Sequence, residues 1–300
     1  MKIYIAAMAL CSLAGFASAD TLEESYTKLK AAVEKKDPDA VKASAAATVK
    51  LARDAENAPK PTDADEVEHW KQSIEYGKEV EGYTEYALGF IAQQPGVEPA
   101  KVVELVDALI AQNPKSNYLN EGAASAYLVA LGKTETGAKQ KQAQMAGMAK
   151  IVKGRPDNTV ALAALVEGGS TQYADRLVSA MKAKTKPEGV SEGDWEKQRN
   201  AAFALGYYTM GMAALGKQGW IDCDKNLKAA VPLLSADQAR LGNAYYGLGV
   251  CDFNFGKTVN DRVKMKEGEQ YSEKSAAIKS PSQDQAYRNV AAMKQALAGK

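Results

Sequence analysis

Apolar residues recur along this chain at intervals of three and four, separated by short polar stretches where proline and glycine concentrate. That rhythm puts one face of a helix against a core, many times over. Leu22, Tyr26, Leu29 and Val33 form the first such face, and Thr21-Leu22-Glu23-Glu24 ahead of it reads as a capping box. Asp37-Pro38 then ends one helix and begins another. Asp37 can accept from the new helix's free amides, and Pro38 suits a first helical position because its missing N–H has no partner there. Val41, Ala45, Thr48 and Ala52 mark the buried side of the second helix, and Asn57 to Asp65, with Pro59 and Pro61, reads as a linker.

The same spacing continues. Tyr76, Val80, Tyr83, Ala87 and Phe90 form a stripe on a helix from about residue 66 to 93, with Gly77 and Gly82 as places for a kink. Gln94-Pro95-Gly96 turns the chain, and Pro99 opens a helix whose inward side is Val102, Val103, Val106, Leu109 and Ile110. Helical hairpins are predicted over 117–131 with 136–153 and over 157–167 with 171–184. Two more lie between Trp195 and Ile278, and a helix over 282–297 closes the chain. Leu131-Gly132-Lys133, Leu215-Gly216-Lys217 and Phe255-Gly256-Lys257 recur at the end of a first helix, their glycines 84 and then 40 residues apart. Each glycine is expected at a left-handed position just past the helix end, where the absence of Cβ removes the penalty. Gly122 and Gly206 lie ten residues upstream of Gly132 and Gly216, mid-helix, where close approach of a neighbour offsets the cost of glycine. A period of about forty residues is the signature of a solenoid, since one hairpin alone cannot bury its apolar face.

The segments Ala87-Leu88-Gly89, Ala204-Leu205-Gly206-Tyr207 and Gly247-Leu248-Gly249 resemble the first helices of tetratricopeptide (TPR) repeats. Ala230 and Ala277, each near the end of a second helix, are similar to that family's small residue. The resemblance covers roughly residues 80–281. It implies an all-α fold, a right-handed α-α superhelix of antiparallel hairpins whose concave groove holds a peptide or a partner protein. The expected division is 1–19 signal peptide, 20–56 N-terminal helical hairpin, 57–65 linker, 66–281 TPR-like repeats and 282–300 C-terminal capping helix.

The first nineteen residues change the setting. Lys2, an apolar run from Ile3 to Phe16 and Ala17-Ser18-Ala19 before Asp20 have the form of a secretory signal peptide cleaved after Ala19. The run is too short to span a bilayer, so the expected location is a bacterial periplasm with no transmembrane anchor. Without Lys2 the chain has 37 basic and 37 acidic residues and no block of one sign, which argues against nucleic acid as a partner. Cys223 and Cys251 remain, an even count in an oxidising compartment. Laid on an antiparallel hairpin turning near Ser235, they stand at similar heights. A disulfide is favoured, the other reading being two buried thiols packed as small hydrophobes.

Candidate chemistry is sparse. Gly256-Lys257-Thr258 lacks the earlier glycine and the preceding strand of a phosphate loop, for Cys251 stands where that glycine belongs. Glu66-x-x-His69 is half of a di-iron motif, and His69 is the only histidine, so neither a second half nor a Ser–His or Cys–His pair elsewhere can be built. Asp222-Cys223-Asp224 reads as acidic residues at a helix start and Gly168-Gly169-Ser170 as a turn with Ser170 capping. No catalytic residue, metal or cofactor is expected. Tyr208, Trp220 and Tyr245 are candidates for the inner, partner-binding surface, with core packing as the competing reading. The sequence thus points to a scaffold or adaptor for a protein or peptide in the cell envelope. The alternative is a helical solute-binding or carrier protein.

Overall fold

A computed structural model describes residues 21–299, and the expected signal peptide, 1–19, with its cleavage site lies outside them. The described residues form thirteen α-helices and three short 3-10 turns, with no strand among them, so the chain is all-α. Contacts divide the chain into two compact units, between Ile91 and Ala92.

The first unit holds α1 (Leu22–Glu34), α2 (Pro38–Glu56) and most of α3 (Val67–Ala92). The capping box at Thr21 is formed in both directions, and Asp37 accepts from the amides of Asp39 and Ala40 ahead of Pro38. Leu29, Val41, Ala45 and Ala52 are buried between α1 and α2, where the Ser25 and Thr48 hydroxyls pair at 2.7 Å. α3 is continuous through Gly77, where a Cβ would meet the Ala52 carbonyl oxygen of α2 at 2.8 Å, so close approach of α2 accounts for the glycine. Tyr26 lies edge-on to Tyr76 and Tyr83, and the ring contacts continue through Tyr86 to Phe90. Within α3, then, the aromatic stripe faces α1 on one side.

The second unit contains α4 (Pro99–Gln112), α5 (Glu121–Thr134), α6 (Gly137–Gly154), α7 (Thr159–Glu167) and α8 (Ala174–Ala183). It continues with α9 (Glu192–Gly216), α10 (Trp220–Ala230), α11 (Gln238–Val259), α12 (Arg262–Ala276) and α13 (Gln283–Ala298). From α4 onward each helix packs on its successor, and α5, α7, α9, α11 and α13 pack on one another in that order. This pattern is compatible with a helical repeat, each hairpin finding its missing apolar partner in the next. Asn120, Asn158, Ser191, Asp237 and Asp261 cap α5, α7, α9, α11 and α12, each through its own side chain.

Several glycines do a different job from the one expected of them. Gly132, Gly216 and Gly256 all remain inside their helices, and the left-handed residues that follow are Gly137, Gln218 and Asn260. At Gly256 the reason is contact: a Cβ would sit 2.7 Å from both the Asp261 carbonyl oxygen and the Met265 nitrogen at the start of α12. Gly122 falls in the first turn of α5 rather than mid-helix. Gly206 does meet a neighbour, the Ala174 carbonyl oxygen and Val178 of α8. Ser170 makes no capping bond; a 3-10 turn, Thr171–Tyr173, intervenes before α8.

Candidate functional site

Between α5, α6, α7 and α9 lies a cavity of about 1080 Å3, closed at one end by the turn joining α10 to α11 and the first residues of α11. Its existence follows from side-chain size. The faces that α7 and α9 turn toward it carry Ala163, Ala164, Ala201 and Ala202 where a close-packed interface would carry leucine. Larger apolar side chains, among them Leu128, Met145, Val160, Met181, Leu205 and Leu233, also line it. Gly122, Lys141, Glu167, Gln198 and Ala201 are exposed, so the mouth opens to solvent.

The rim is polar and internally paired. Arg240 of α11 reaches Glu167 of α7 at 2.6 Å and Asp237 at 3.6 Å, joining helices distant in sequence. On the other side Lys184 pairs with Glu121, and the Thr159 hydroxyl also bonds that carboxylate. Gln144 donates to the Leu128 carbonyl at 3.1 Å, fixing α6 against α5 along the wall. Glu121 and Lys184 also border a smaller cavity of about 340 Å3 whose lining includes Arg155, Asp157 and Asn158. An apolar floor with paired charges at its edge suits a ligand that buries aliphatic side chains and leaves polar groups at the mouth.

The three aromatic candidates are placed elsewhere. Tyr208, Trp220 and Tyr245 are half-buried against the core formed by Ala204, Cys223, Leu227, Ala230, Ala244, Leu248 and Cys251, and none of them lines the cavity. Tyr208 is linked to its rim through the Arg240 guanidinium, 6.0 Å from its ring. Tyr245 stacks on Tyr271, with the Lys274 ammonium over both rings. Cys223 and Cys251 are joined by a disulfide that ties α10 to α11, their Cα atoms 6.3 Å apart.

A cluster of charge beside that bridge was not apparent from spacing. Asp224 and Lys228 of α10, Asp252 of α11, and Lys264 and Glu267 of α12 converge there. Asp222 keeps its expected place in the first turn of α10, whereas Asp224 turns into this cluster. Asp252 is fully buried; Lys264 approaches it at 3.1 Å and Lys228 at 3.9 Å, as ion pairs rather than aligned hydrogen bonds. Burial, then the Asp224 carboxyl, push Asp252 up to about 7. Burial acts the same way on Asp224, but the neighbouring Asp252 carboxyl and the Lys228 ammonium at 2.7 Å outweigh it and hold that group below the usual range. Burial disfavours the Lys264 charge, yet the carboxylates of Glu267 and Asp252 keep it firmly protonated. A signal for this site was present: each bridged cysteine is followed directly by aspartate.

Among the described residues no cluster of His, Cys, Asp or Glu is arranged to hold a metal ion, and no helix is long and apolar enough to cross a membrane. Compared with protein-family models, with curated proteins and with solved structures, the chain matches none.

Proposed function

We propose that this chain is an exported, TPR-like binding module, a right-handed superhelix of helix pairs that holds an extended segment of a partner protein in the cell envelope. The observation that carries this reading is the solvent-open, alanine-floored cavity of about 1080 Å3 between α5, α6, α7 and α9. Drug-sized ligands occupy cavities of about 300–1000 Å3, so this volume lies at or beyond the upper end for a solute and suits several residues of peptide. The signal-peptide pattern at residues 1–19 and the Cys223–Cys251 bridge support an oxidising compartment outside the cytoplasm, the periplasm. We assign binding rather than catalysis, since with a single histidine no Ser–His or Cys–His pair can be built elsewhere in the chain.

A photo-crosslinking residue at Gln198, on the cavity mouth, tests the assignment. The expected result is a crosslinked peptide from an envelope protein, which disappears when Ala163→Trp fills the floor while helical content is retained. No crosslinked peptide, together with thermal stabilisation by a small molecule that A163W abolishes, would favour the carrier reading instead.

A further inference from the structure

The five charges between α10, α11 and α12 do not balance when all are ionised. Asp224, Asp252 and Glu267 contribute three negative charges and Lys228 and Lys264 two positive, so a fully ionised cluster holds one surplus charge around a carboxylate with no exposed surface. One proton on Asp252 makes the cluster neutral and relieves its repulsion with the neighbouring Asp224 carboxylate, Lys264 lying 3.1 Å from the one and 3.4 Å from the other. Two carboxyls this close retain a proton because their negative charges repel in a medium that solvates them poorly.

The bridge explains why they are close. Cys223 and Cys251 immediately precede Asp224 and Asp252, and the disulfide fixes the separation of α10 and α11 at that level. One residue advances an α-helix by about 1.5 Å, so on antiparallel helices the two aspartates stand within about 3 Å of each other in height. From α12, Lys264, Glu267 and Tyr271 face the pair, and the burial of Tyr271, followed by the charge of Asp252, pushes that phenol up. Of the other neighbours of α11, α9 meets it at Gly247 through Met212 and Leu215 and at Asn243 through the Tyr208 hydroxyl, α7 meets it at Arg240 through Glu167, and α13 meets it at Phe253 through Met293.

We propose that Asp252 and Asp224 form a proton-operated latch joining α10, α11 and α12, pressed together by the Cys223–Cys251 bridge, closed while the two carboxyls share a proton and loosened when it leaves. The α10–α11 turn carries Leu233, Leu234 and Asp237 into the cavity wall, so the latch acts on one side of the cavity. That link rests on the binding function proposed above; the latch does not.

The direction of the pH effect follows from linkage. Asp252 titrates higher in the folded chain than its ordinary 3.8, so between about 4 and 7 the folded state holds a proton that the unfolded state lacks. Stability is full at the acid end of this window and falls as pH rises toward 7. The only histidine, His69, lies in α3, away from the cluster in sequence.

The test uses the full mature chain with 13C-labelled aspartate carboxyls, followed by NMR, and urea unfolding at pH 5 and pH 8. One carboxyl is expected to titrate near 7 and to vanish from the spectrum of Asp252→Asn. The unfolding equilibrium constant should rise about a hundredfold from pH 5 to pH 8 in the parent chain and less than about threefold in D252N. In the Cys223→Ala, Cys251→Ala double variant the Asp252 midpoint should fall by about one pH unit or more, and an unmoved midpoint overturns the coupling to the bridge. An Asp252 midpoint below 5 in the parent chain overturns the latch even if D252N does not fold. So does an unchanged pH slope in a folded D252N. Loss of partner crosslinking alone, with the titration intact, would count against the binding function and leave the latch standing.

Discussion

Two neighbouring parts of the second unit pack helices in opposite ways. The stretch from α5 to α8 holds the unit's two shortest α-helices, α7 with 9 residues and α8 with 10, and alanines at the facing positions leave an open cavity. The stretch from α9 to α12 holds the two longest, α9 with 25 residues and α11 with 22, and glycine draws the helices together. A Cβ on Gly268 of α12 would lie 2.6 Å from the Phe253 nitrogen and 2.8 Å from the Gly249 carbonyl oxygen, so the α11–α12 crossing has no room for a methyl group. Small residues therefore have two contrary uses in one array. Glycine at a crossing removes space, and alanine around a hollow creates it. The closely packed part also bears the covalent bond and the buried charges, while the open part keeps its charges at the rim, where water can reach them.

The largest expected effect breaks the tight half. Replacing both Cys223 and Cys251 by alanine opens a loop spanning 28 residues and should cost about 3–4 kcal/mol in urea unfolding on the chain-entropy account. A loss of less than 1 kcal/mol would mean that the glycine crossings hold α10 to α12 without the bridge. Next comes a matched pair of substitutions. Ala244→Leu adds bulk at a fully buried position of α11 and should cost about 1–3 kcal/mol. Ala163→Leu adds the same bulk on the cavity floor and should change stability by no more than about 0.5 kcal/mol, because the space is already there. Equal costs at the two sites would erase the distinction between the halves. The smallest effect belongs to the rim: Glu167→Gln removes the Arg240 pair, whose members are one third and one half exposed, and should cost about 0.5 kcal/mol, less in high salt. A cost well above 1 kcal/mol at any salt concentration would show that the rim is structural.

Much of the helical framework was legible in the residues because its signals are local. Thr21 with Glu24, and Asp37 with Pro38, fix helix ends by bonds reaching three residues at most, and the structure forms them as read. The pairing of Cys223 with Cys251 needed only a turn position and the rise of a helix. What the sequence concealed is what one residue type expresses ambiguously. A glycine such as Gly256 serves a left-handed turn or a close contact equally well, since both ask only for a missing Cβ, and here the contact decided. Alanine is hidden for a related reason. Ala163 and Ala201 read as good helix formers, and nothing local reveals that the residues facing them leave a hollow. Asp252 was concealed among helix polar positions, since its partners Asp224 and Lys264 come from other helices. Tyr208, Trp220 and Tyr245 show the converse, side chains suited to a groove that also serve a core.

The Cys223–Cys251 bond also makes part of the chain a ring. The exposed Ser235 and Ala236 at the α10–α11 turn lie inside that ring, at a place open to a protease. A cut there severs the backbone yet releases nothing: the piece ending at Ser235 and the piece beginning at Ala236 stay joined through sulfur, each with its own side of the hairpin. In a protease-rich compartment the molecule can thus be nicked at its most accessible link and still travel as one body until a reductant separates the halves.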